Sequence, residues 1–600
     1  MILQSLNQLY QRLSEDPGNG LPKAGHSLQN VTFRIIIQED GSVVEIQDAR
    51  RVDVTVEKNG KEKKKEFPIE LLLPGQSKPT GQGINPCTLW DNLTYLCGYA
   101  QPDKDLEKAG KNRLRAPRCF DGSKVLHTSL FKDSDNPAYL AVSRYFSRHT
   151  PNDLLSYVES LPEDARKGNG VFQISGGTKY AHAGYSISPS REESEEISDE
   201  SHAQCLITGQ IAPIARLHEP KIKTFDPKGS LLVSFNERAY ESFGKEDGRN
   251  VGQGRNAPVS ESAAFSYCNA LNWLLARKER RFRIGDDTTV FWTAKPTPAE
   301  ALFPWMMSGT SDAEDEKTKQ RVRAILEKIS RGTLGHDDLG KPDVPYYILG
   351  LSPNASRLSV RFWHTGHLGE LITQLKLHLN QLEIVRQWDE NNSKNPDPLH
   401  PTSYQILRQT AREADGIPPL LGGALIRSIL LGTDYPASLI TAVHNRIRAE
   451  RDVTYLKAAI LKAWLIRNHN QNATIMLDET NTNPGYRLGR LFAVLEKAQQ
   501  DALPGLNATI RDRFYASASA TPRAVFGRLL RTYQHHLGKL DPAAKIVREK
   551  QTQEILSTLK DFPAHLNLQD QSQFALGYYH QRKDFFTKKE TQPTSETALA

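Results

Sequence analysis

Apolar residues near the start of the chain repeat at helical spacing. Ile2, Leu6, Leu9 and Leu13 form one stripe, which predicts an amphipathic first helix. The Asp-Pro-Gly-Asn-Gly run at 16–20 has the chemistry of a turn and predicts where this helix ends.

The following region alternates between apolar and polar residues, as strands do. Residues 31–37 and 42–50 flank an Asp-Gly pair and predict a hairpin, and 51–57 predicts a third strand. The lysine-rich stretch 58–66 predicts a basic loop. Further strands are predicted at 171–174, 205–218, 230–236, 288–292, 346–353 and 358–366.

Helical patterns occupy 134–167 and 260–280, the second with Ser260 as its N-cap, and from 367 onward they dominate. Asn483-Pro484, Thr521-Pro522 and Asp541-Pro542 mark helix starts, since proline favours the first helical position. The fold class predicted is α+β and multi-domain: an N-terminal mixed α/β region followed by an all-helical C-terminal bundle. A length of 600 residues agrees with several domains. The predicted division is 1–200, 201–366, 367–475 and 476–600.

Composition narrows the class of protein. Lys and Arg number 77 against 70 Asp and Glu, a net charge of +7 that carries meaning only where basic residues cluster. The five cysteines form no CxxC pair, which favours reduced thiols in a cytosol. The sequence contains neither a long apolar run nor a signal-peptide pattern, so we expect a cytoplasmic protein without membrane contact.

Catalytic motifs are weak. The GQGRNA run at 252–257 matches a degenerate dinucleotide loop but lacks a strand-turn-helix frame. Asp286 and Asp287 precede a strand and could hold Mg²⁺, although a turn that starts the strand explains them better. We therefore expect no enzyme activity and no cofactor or metal. The alternatives are a Mg-dependent nucleic-acid-processing enzyme that uses Asp286 and Asp287, or a pure protein scaffold.

Three basic or polar clusters suit nucleic acid. Phosphates attract clustered lysines and arginines, whereas amides and hydroxyls suit base edges. The glycine-rich stretch 77–85 supplies donors and acceptors beside a flexible backbone. The basic loop contains Lys58, Lys61, Lys63, Lys64 and Lys65. The C-terminal region contains Arg487, Arg490, Arg511, Arg513, Arg523, Arg528 and Arg531.

Longer stretches, in order along nearly the whole chain, carry a family resemblance. They include NPCTLWDNLTYLCGY (85–99), CLITGQIAPIARLH (205–218), NAPVSESAAFSYCNALNWLL (256–275) and YYILGLSPNASRLSVRFW (346–363). With these stretches the chain resembles the large subunit of the type I-C CRISPR surveillance complex (Cascade), Dvulg subtype.

The resemblance implies an RNA-guided antiviral role. The large subunit would recognise the protospacer-adjacent motif on duplex DNA and promote R-loop formation, while crRNA pairing reads the target. It would also hold the displaced single strand and help recruit a helicase-nuclease. Its other partners would be the Cascade backbone and crRNA-handle-binding subunits.

Candidate DNA contacts follow from this role together with residue type. The motif-reading candidates are Lys78, Thr80, Gln82, Asn85, Asn92, Lys245, Arg255 and Asn256. The Lys58–Lys65 cluster would grip duplex phosphates. The C-terminal arginines would bind the displaced strand.

The resemblance also implies a small subunit that is translated from within the same gene. Of the four methionines, Met476 lies just before the helix start at Asn483-Pro484. Initiation near Met476 would produce the C-terminal helical bundle alone.

Overall fold

The computed structural model describes residues 1–23, 25–56, 62–75, 83–185, 202–223, 229–235, 238–245, 253–284, 287–309, 316–354, 357–390 and 393–586. The chain divides into two compact units, Met1–Trp273 and Leu274–Ala600. Strands and helices are mixed in the N-terminal region and helices fill the C-terminal part, so the predicted α+β class is confirmed. The finer division at 200, 366 and 475 remains a prediction.

The first unit contains most of the short strands. Its strands are β1 (His26–Ile37), β2 (Val43–Asp48), β3 (Arg51–Val56), β4 (Glu62–Phe67), β5 (Ile69–Pro74), β6 (Trp90–Asn92), β7 (Asn169–Ile174), β8 (His202–Gln204) and β9 (Ile211–Pro213). Its helices are α1 (Ile2–Ser14), α2 (Leu93–Leu96), α3 (Leu106–Phe131), α4 (Pro137–Arg148), α5 (Pro151–Glu159), α6 (Gln253–Asn256) and α7 (Glu261–Ala276), the last of which runs past the unit boundary.

The main sheet of this unit is built around the long strand β1. Its order is β2-β1-β7-β6, and β5 pairs with the N-terminal half of β1. β1 and β7 are parallel, so the intervening chain crosses over the sheet through α3, α4 and α5. Alternate residues Phe33, Ile35 and Ile37 point into the core and pack with helix residues such as Phe120 and Phe146.

Several predicted elements of this unit are confirmed, namely the first helix, the hairpin of β1 and β2, and β7. Ser260 accepts a hydrogen bond from the Ala263 N–H at 3.3 Å, as its predicted role at the start of α7 requires. The strand predicted at 230–236 is wrong over the described residues 230–235, where Ser230 forms only an isolated bridge with Ile222. The region 205–218 forms only the short strand β9 within a series of turns.

The basic loop predicted for 58–66 is wrong over the described residues 62–66, which belong to a strand. Residues 62–67 form β4, which pairs residue by residue with β3 in an antiparallel ribbon. Arg50 holds the base of this ribbon, because its Nη2 lies 2.6 Å from Glu66 Oε2 and it also pairs with Asp48. Pairing with a strongly alternating partner overrides the low strand propensity of lysine and glutamate.

The second unit begins with a sheet and continues in helices. Its strands are β10 (Arg281–Ile284), β11 (Asp287–Thr293), β12 (Pro345–Asn354) and β13 (Arg357–His367), paired antiparallel in that order. Its helices are α8 (Ala299–Ser308), α9 (Glu316–Arg331), α10 (His336–Leu339), α11 (Leu368–Leu382), α12 (Ser403–Arg408), α13 (Leu421–Leu431), α14 (Ala437–Glu450), α15 (Tyr455–His469), α16 (Pro484–Ala502), α17 (Ile510–Ala520), α18 (Pro522–Leu537), α19 (Pro542–Ser557) and α20 (Leu568–Asp584).

One hydrophobic core runs through this unit, from the sheet residues Phe291 and Ile348 to the C-terminal helices. The strands predicted at 288–292, 346–353 and 358–366 are confirmed, as are the proline-marked starts of α16, α18 and α19. Asn483 and Asp541 cap their helices by accepting backbone N–H bonds from Tyr486 and Ala544.

The helices α16 and α20 approach each other unusually closely, through glycines. A Cβ atom added at Gly489 would lie 2.0 Å from the Phe574 carbonyl oxygen, and one at Gly577 would lie 2.0 Å from that of Tyr486. The two backbones are therefore in direct contact at this crossing, which fixes the register of the bundle.

Candidate nucleic-acid interface

The glycine-rich stretch enters from the end of β5, and its entry is tightly held. The Trp90 indole N–H donates to the Pro74 carbonyl at 2.6 Å, and Trp90 is buried. Next to it, the Gly75 N–H donates to the Gly25 carbonyl, and the Ser27 hydroxyl donates to the Gly75 carbonyl. The backbone at 74–75 is thus tied to both a strand and a buried aromatic ring.

The exit of the stretch is held by three side chains that accept backbone N–H bonds. The Asn85 N–H donates to the Tyr95 hydroxyl at 3.2 Å, and the Cys87 N–H donates to Asp91 Oδ2 at 3.0 Å. The third is His127 Nε2, which accepts from the Leu89 N–H at 2.9 Å. Leu89 has φ 67°, a left-handed conformation that costs a non-glycine residue free energy and persists only where surrounding contacts hold it.

His127 performs this role only as a neutral ring. Because a backbone N–H can only donate, Nε2 accepts, and the ring proton lies on Nδ1, which donates to the Ser123 carbonyl at 2.7 Å. Burial lowers the pKa of His127 to about 4, since an imidazolium there would lose its hydration. A protonated His127 could no longer accept the Leu89 bond.

Helix α3 supplies one more support for the exit. The Arg115 guanidinium donates from Nη2 to the Gly83 carbonyl at 2.8 Å. Together, the contacts of Trp90, Tyr95, Asp91, His127 and Arg115 form what we call the loop frame. Both ends of the stretch 76–82 are anchored to it, and sequence reasoning did not identify these five residues.

The predicted motif-reading residues fall into different surroundings. Lys78, Thr80 and Gln82 lie outside the described residues. Asn85 is exposed at the exit of the stretch. Asn92 is the N-cap of α2, where its Oδ1 accepts from the Thr94 N–H at 3.0 Å, which gives that side chain a structural role.

The second predicted group lies beside another glycine-rich stretch, of which 246–252 is outside the described residues. Lys245 and Arg255 are exposed. Asn256 Oδ1 accepts from the Ser242 N–H at 2.7 Å, so this side chain helps to hold the preceding turn.

Three of the five lysines predicted to bind duplex phosphates belong to β4, which pairs with β3. Lys58 and Lys61 lie outside the described residues, and Lys63 and Lys64 belong to β4. Lys65 is exposed on that strand.

Three of the C-terminal arginines are buried or form ion pairs within the protein. Arg490 is 1% exposed, and its guanidinium binds both carboxylate oxygens of Glu554 at 3.2 and 2.9 Å. Arg487 is buried beside it, where desolvation lowers its pKa. Arg511 pairs with Asp452 at 3.0 Å. Arg487 and Arg490 are 3% and 1% exposed, so neither side chain reaches the surface of this structure.

The remaining arginines lie on the outside of α17 and α18. Arg513, Arg523, Arg528 and Arg531 are exposed. Arg523 pairs with Asp561 at 3.3 Å, whereas Arg528 lies over the Phe514 ring at 5.4 Å. Helix α18 contains no acidic residue, and within the described residues neither Arg513 nor Arg531 forms an ion pair. We call Arg528 and Arg531, together with the exposed Arg513 of α17, the α18 face, and these arginines carry excess positive charge.

Of the carboxylate pair considered for Mg²⁺, the structure describes only Asp287. Asp286 lies outside the described residues, and Asp287 begins β11, buried and 3.6 Å from Arg361 Nε. In the described part of the chain, no three His, Cys, Asp or Glu side chains converge as a metal site would require. No described helix combines the length and the apolar character of a membrane span.

Comparison with known proteins identifies the family of this chain. The family model described as CRISPR-associated protein (Cas_Csd1) matches residues 6–586. No curated protein matches the chain. Because the match extends over both compact units, the chain belongs to the Cas_Csd1 family of CRISPR-associated proteins.

Proposed function

We propose that this chain is the non-enzymatic large subunit of a type I-C RNA-guided surveillance complex. It recognises the protospacer-adjacent motif on duplex DNA, promotes R-loop formation, holds the displaced strand and helps recruit a helicase-nuclease. Membership of a CRISPR-associated family supports the class. The observation that carries the motif-reading role is the loop frame, which anchors both ends of a glycine-rich stretch with polar side chains.

A loop that reads bases must present its side chains at a fixed position, because hydrogen bonds to base edges tolerate little displacement. The loop frame supports this proposal because it holds the residues on either side of the stretch. Its side chains Trp90, Asp91, Tyr95 and His127 are buried, and Arg115 is half-buried. Lys78, Thr80, Gln82 and Asn85 would read the motif from this stretch, and the exposed Lys65 would contact duplex phosphates.

The first test replaces Lys78 and Gln82 with alanine in the assembled complex. We expect the preference for the correct flanking motif over an altered one to fall by about tenfold or more, since a good base contact contributes about 1–3 kcal/mol of discrimination. Competition binding with duplexes that differ only in the motif measures this ratio. The matched control is Lys394→Ala with Gln11→Ala, because both residues are exposed and distant in sequence from the stretch 77–85.

An unchanged ratio would show that this stretch is not the reader. DNA binding that is insensitive to salt in the unmodified complex would favour a scaffold instead. Cleavage of nucleic acid with Mg²⁺, abolished by Asp287→Ala, would favour the enzyme alternative.

The α18 face is the proposed contact for the displaced strand. Replacing Arg528 and Arg531 with glutamine should reduce the salt dependence of target binding by about 1.4 in log–log slope, since each single-strand phosphate contact contributes about 0.7. Lys545→Gln with Lys550→Gln on α19 is the matched control, because both lysines are exposed on the same bundle. Equal slopes for the two double variants would exclude the α18 face.

The small subunit is part of the same proposal. Met476 is exposed between α15 and α16, so a product that begins there would contain α16–α20 and the close crossing of α16 with α20. Mass spectrometry of the purified complex checks for this product. The crRNA and the remaining Cascade subunits are the other proposed partners.

A further inference from the structure

Helix α3 carries a line of basic residues that none of the predicted contacts includes. Four basic residues at spacings of three, four and three residues lie on one side of the helix, namely Lys108, Lys111, Arg115 and Arg118. Lys108, Lys111 and Arg118 are exposed, and Arg115 is half-buried. We call this line the α3 ridge.

The α3 ridge lies along the exit of the glycine-rich stretch. Arg115 donates to the Gly83 carbonyl at 2.8 Å. Gly122 continues the same side of the helix, and a Cβ atom there would lie 2.7 Å from Ile84 Cγ2. Backbone and side-chain contacts thus join the ridge to residues 83–84.

Asp105 and Glu107 precede the ridge, and Lys108 lies 4.0 Å from Asp105, but beyond this first turn the charge is strongly one-sided. Residues 108–124 contain six Lys and Arg and a single acidic residue, Asp121. Lys111 pairs with Glu107 at 2.6 Å, but both side chains are more than 70% exposed, and such pairs contribute little and yield readily to a phosphate. Within the described residues Arg118 forms no ion pair.

The apolar residues on this helix do not form a patch that suits a protein partner. Leu106, Leu114 and Val125 are highly exposed, yet they lie eight and eleven residues apart. At a rise of about 1.5 Å per residue their backbones are separated by roughly 12 and 16 Å. Isolated apolar residues of this kind are ordinary on a surface.

We infer that the α3 ridge binds the phosphate backbone of duplex DNA immediately beside the motif-reading loop. This inference rests on the proposed function and extends it. Phosphate contacts supply affinity and register without reading sequence, so the ridge would hold the duplex while the neighbouring loop contacts base edges.

The test replaces Lys111 and Arg118 with glutamine and leaves Arg115 in place, since Arg115 supports the exit. Binding of the assembled complex to duplexes with and without the motif is measured by fluorescence anisotropy over a range of salt. We expect both affinities to fall roughly tenfold and the salt slope to decrease by about 1.8, with the motif preference unchanged. The matched control is Lys394→Gln with Arg412→Gln, which removes the same charge from exposed positions in the second unit.

Affinity and slope equal to those of the control would overturn the inference. Loss of complex assembly by a variant that still folds would also overturn the inference, because the ridge would then bind a protein subunit. A loss of motif preference would overturn it as well, because the ridge would then contact bases. Lys111→Arg with Arg118→Lys keeps the charge and should restore binding, which separates charge from misfolding. If the unmodified complex shows no motif preference, the proposed function fails. Comparing the variants on duplex DNA without the motif would still show whether the α3 ridge binds phosphates.

Discussion

Replacing Gly489 with alanine should destabilise the helical unit by about 3 kcal/mol. In an isolated helix the same change stabilises by about 1 kcal/mol, because glycine is the more flexible residue. Here the new methyl group would lie 2.0 Å from the Phe574 carbonyl oxygen and 2.8 Å from the Tyr578 nitrogen. Backbone atoms of α20 cannot rotate away, so the two helices must separate and lose contacts along the crossing.

Gly527 provides the matched control, since it lies within α18 and an added Cβ would meet nothing within 4 Å. Gly527→Ala should therefore stabilise by up to about 1 kcal/mol. Denaturant unfolding of the full chain, followed by circular dichroism of the helical signal, measures both variants. A midpoint for Gly489→Ala at or above that of the unmodified chain would contradict the close crossing.

Mild acid should also weaken this unit, because it contains histidines that are buried in the neutral form. Burial lowers the pKa of His378 to about 3 and those of His444 and His580 to about 4. An unfolded histidine titrates near pH 6.5, so between that pH and the lower values the unfolded state binds more protons than the folded state. The free energy of unfolding therefore falls as the pH falls through this window, by up to about 3 kcal/mol for each histidine.

The measurement is the denaturant midpoint at a series of pH values between neutrality and about pH 5.5, above the range in which most carboxylates titrate. His444→Gln removes one titrating group and retains a partner for the Ser572 hydroxyl, which lies 2.8 Å from His444 Nε2. It should therefore flatten the pH dependence of the denaturant midpoint. A midpoint independent of pH would show that these histidines can ionise without cost.

Local chemistry made much of the secondary structure predictable. The short runs of apolar and β-branched residues in β11 and β12 and the proline starts of α16 and α19 depend only on neighbours in the chain. Helix α3 was not predicted, because Pro117 and two glycines interrupt it and its apolar residues form a weak stripe. It is stabilised by burial of side chains such as Phe120 and Phe131 in a core contributed by distant segments.

In the candidate site, too, some features depend on local sequence and others depend on tertiary packing. The sequence by itself located a polar, glycine-rich stretch and the clusters of basic residues, because residue type and spacing are local properties. Only the tertiary structure separated Arg490, which is buried against Glu554, from Arg528, which is exposed on a helix without acidic residues. It alone joined Leu89 to His127, which are 38 residues apart in the sequence, since burial and long-range hydrogen bonds arise from packing rather than from the order of residues.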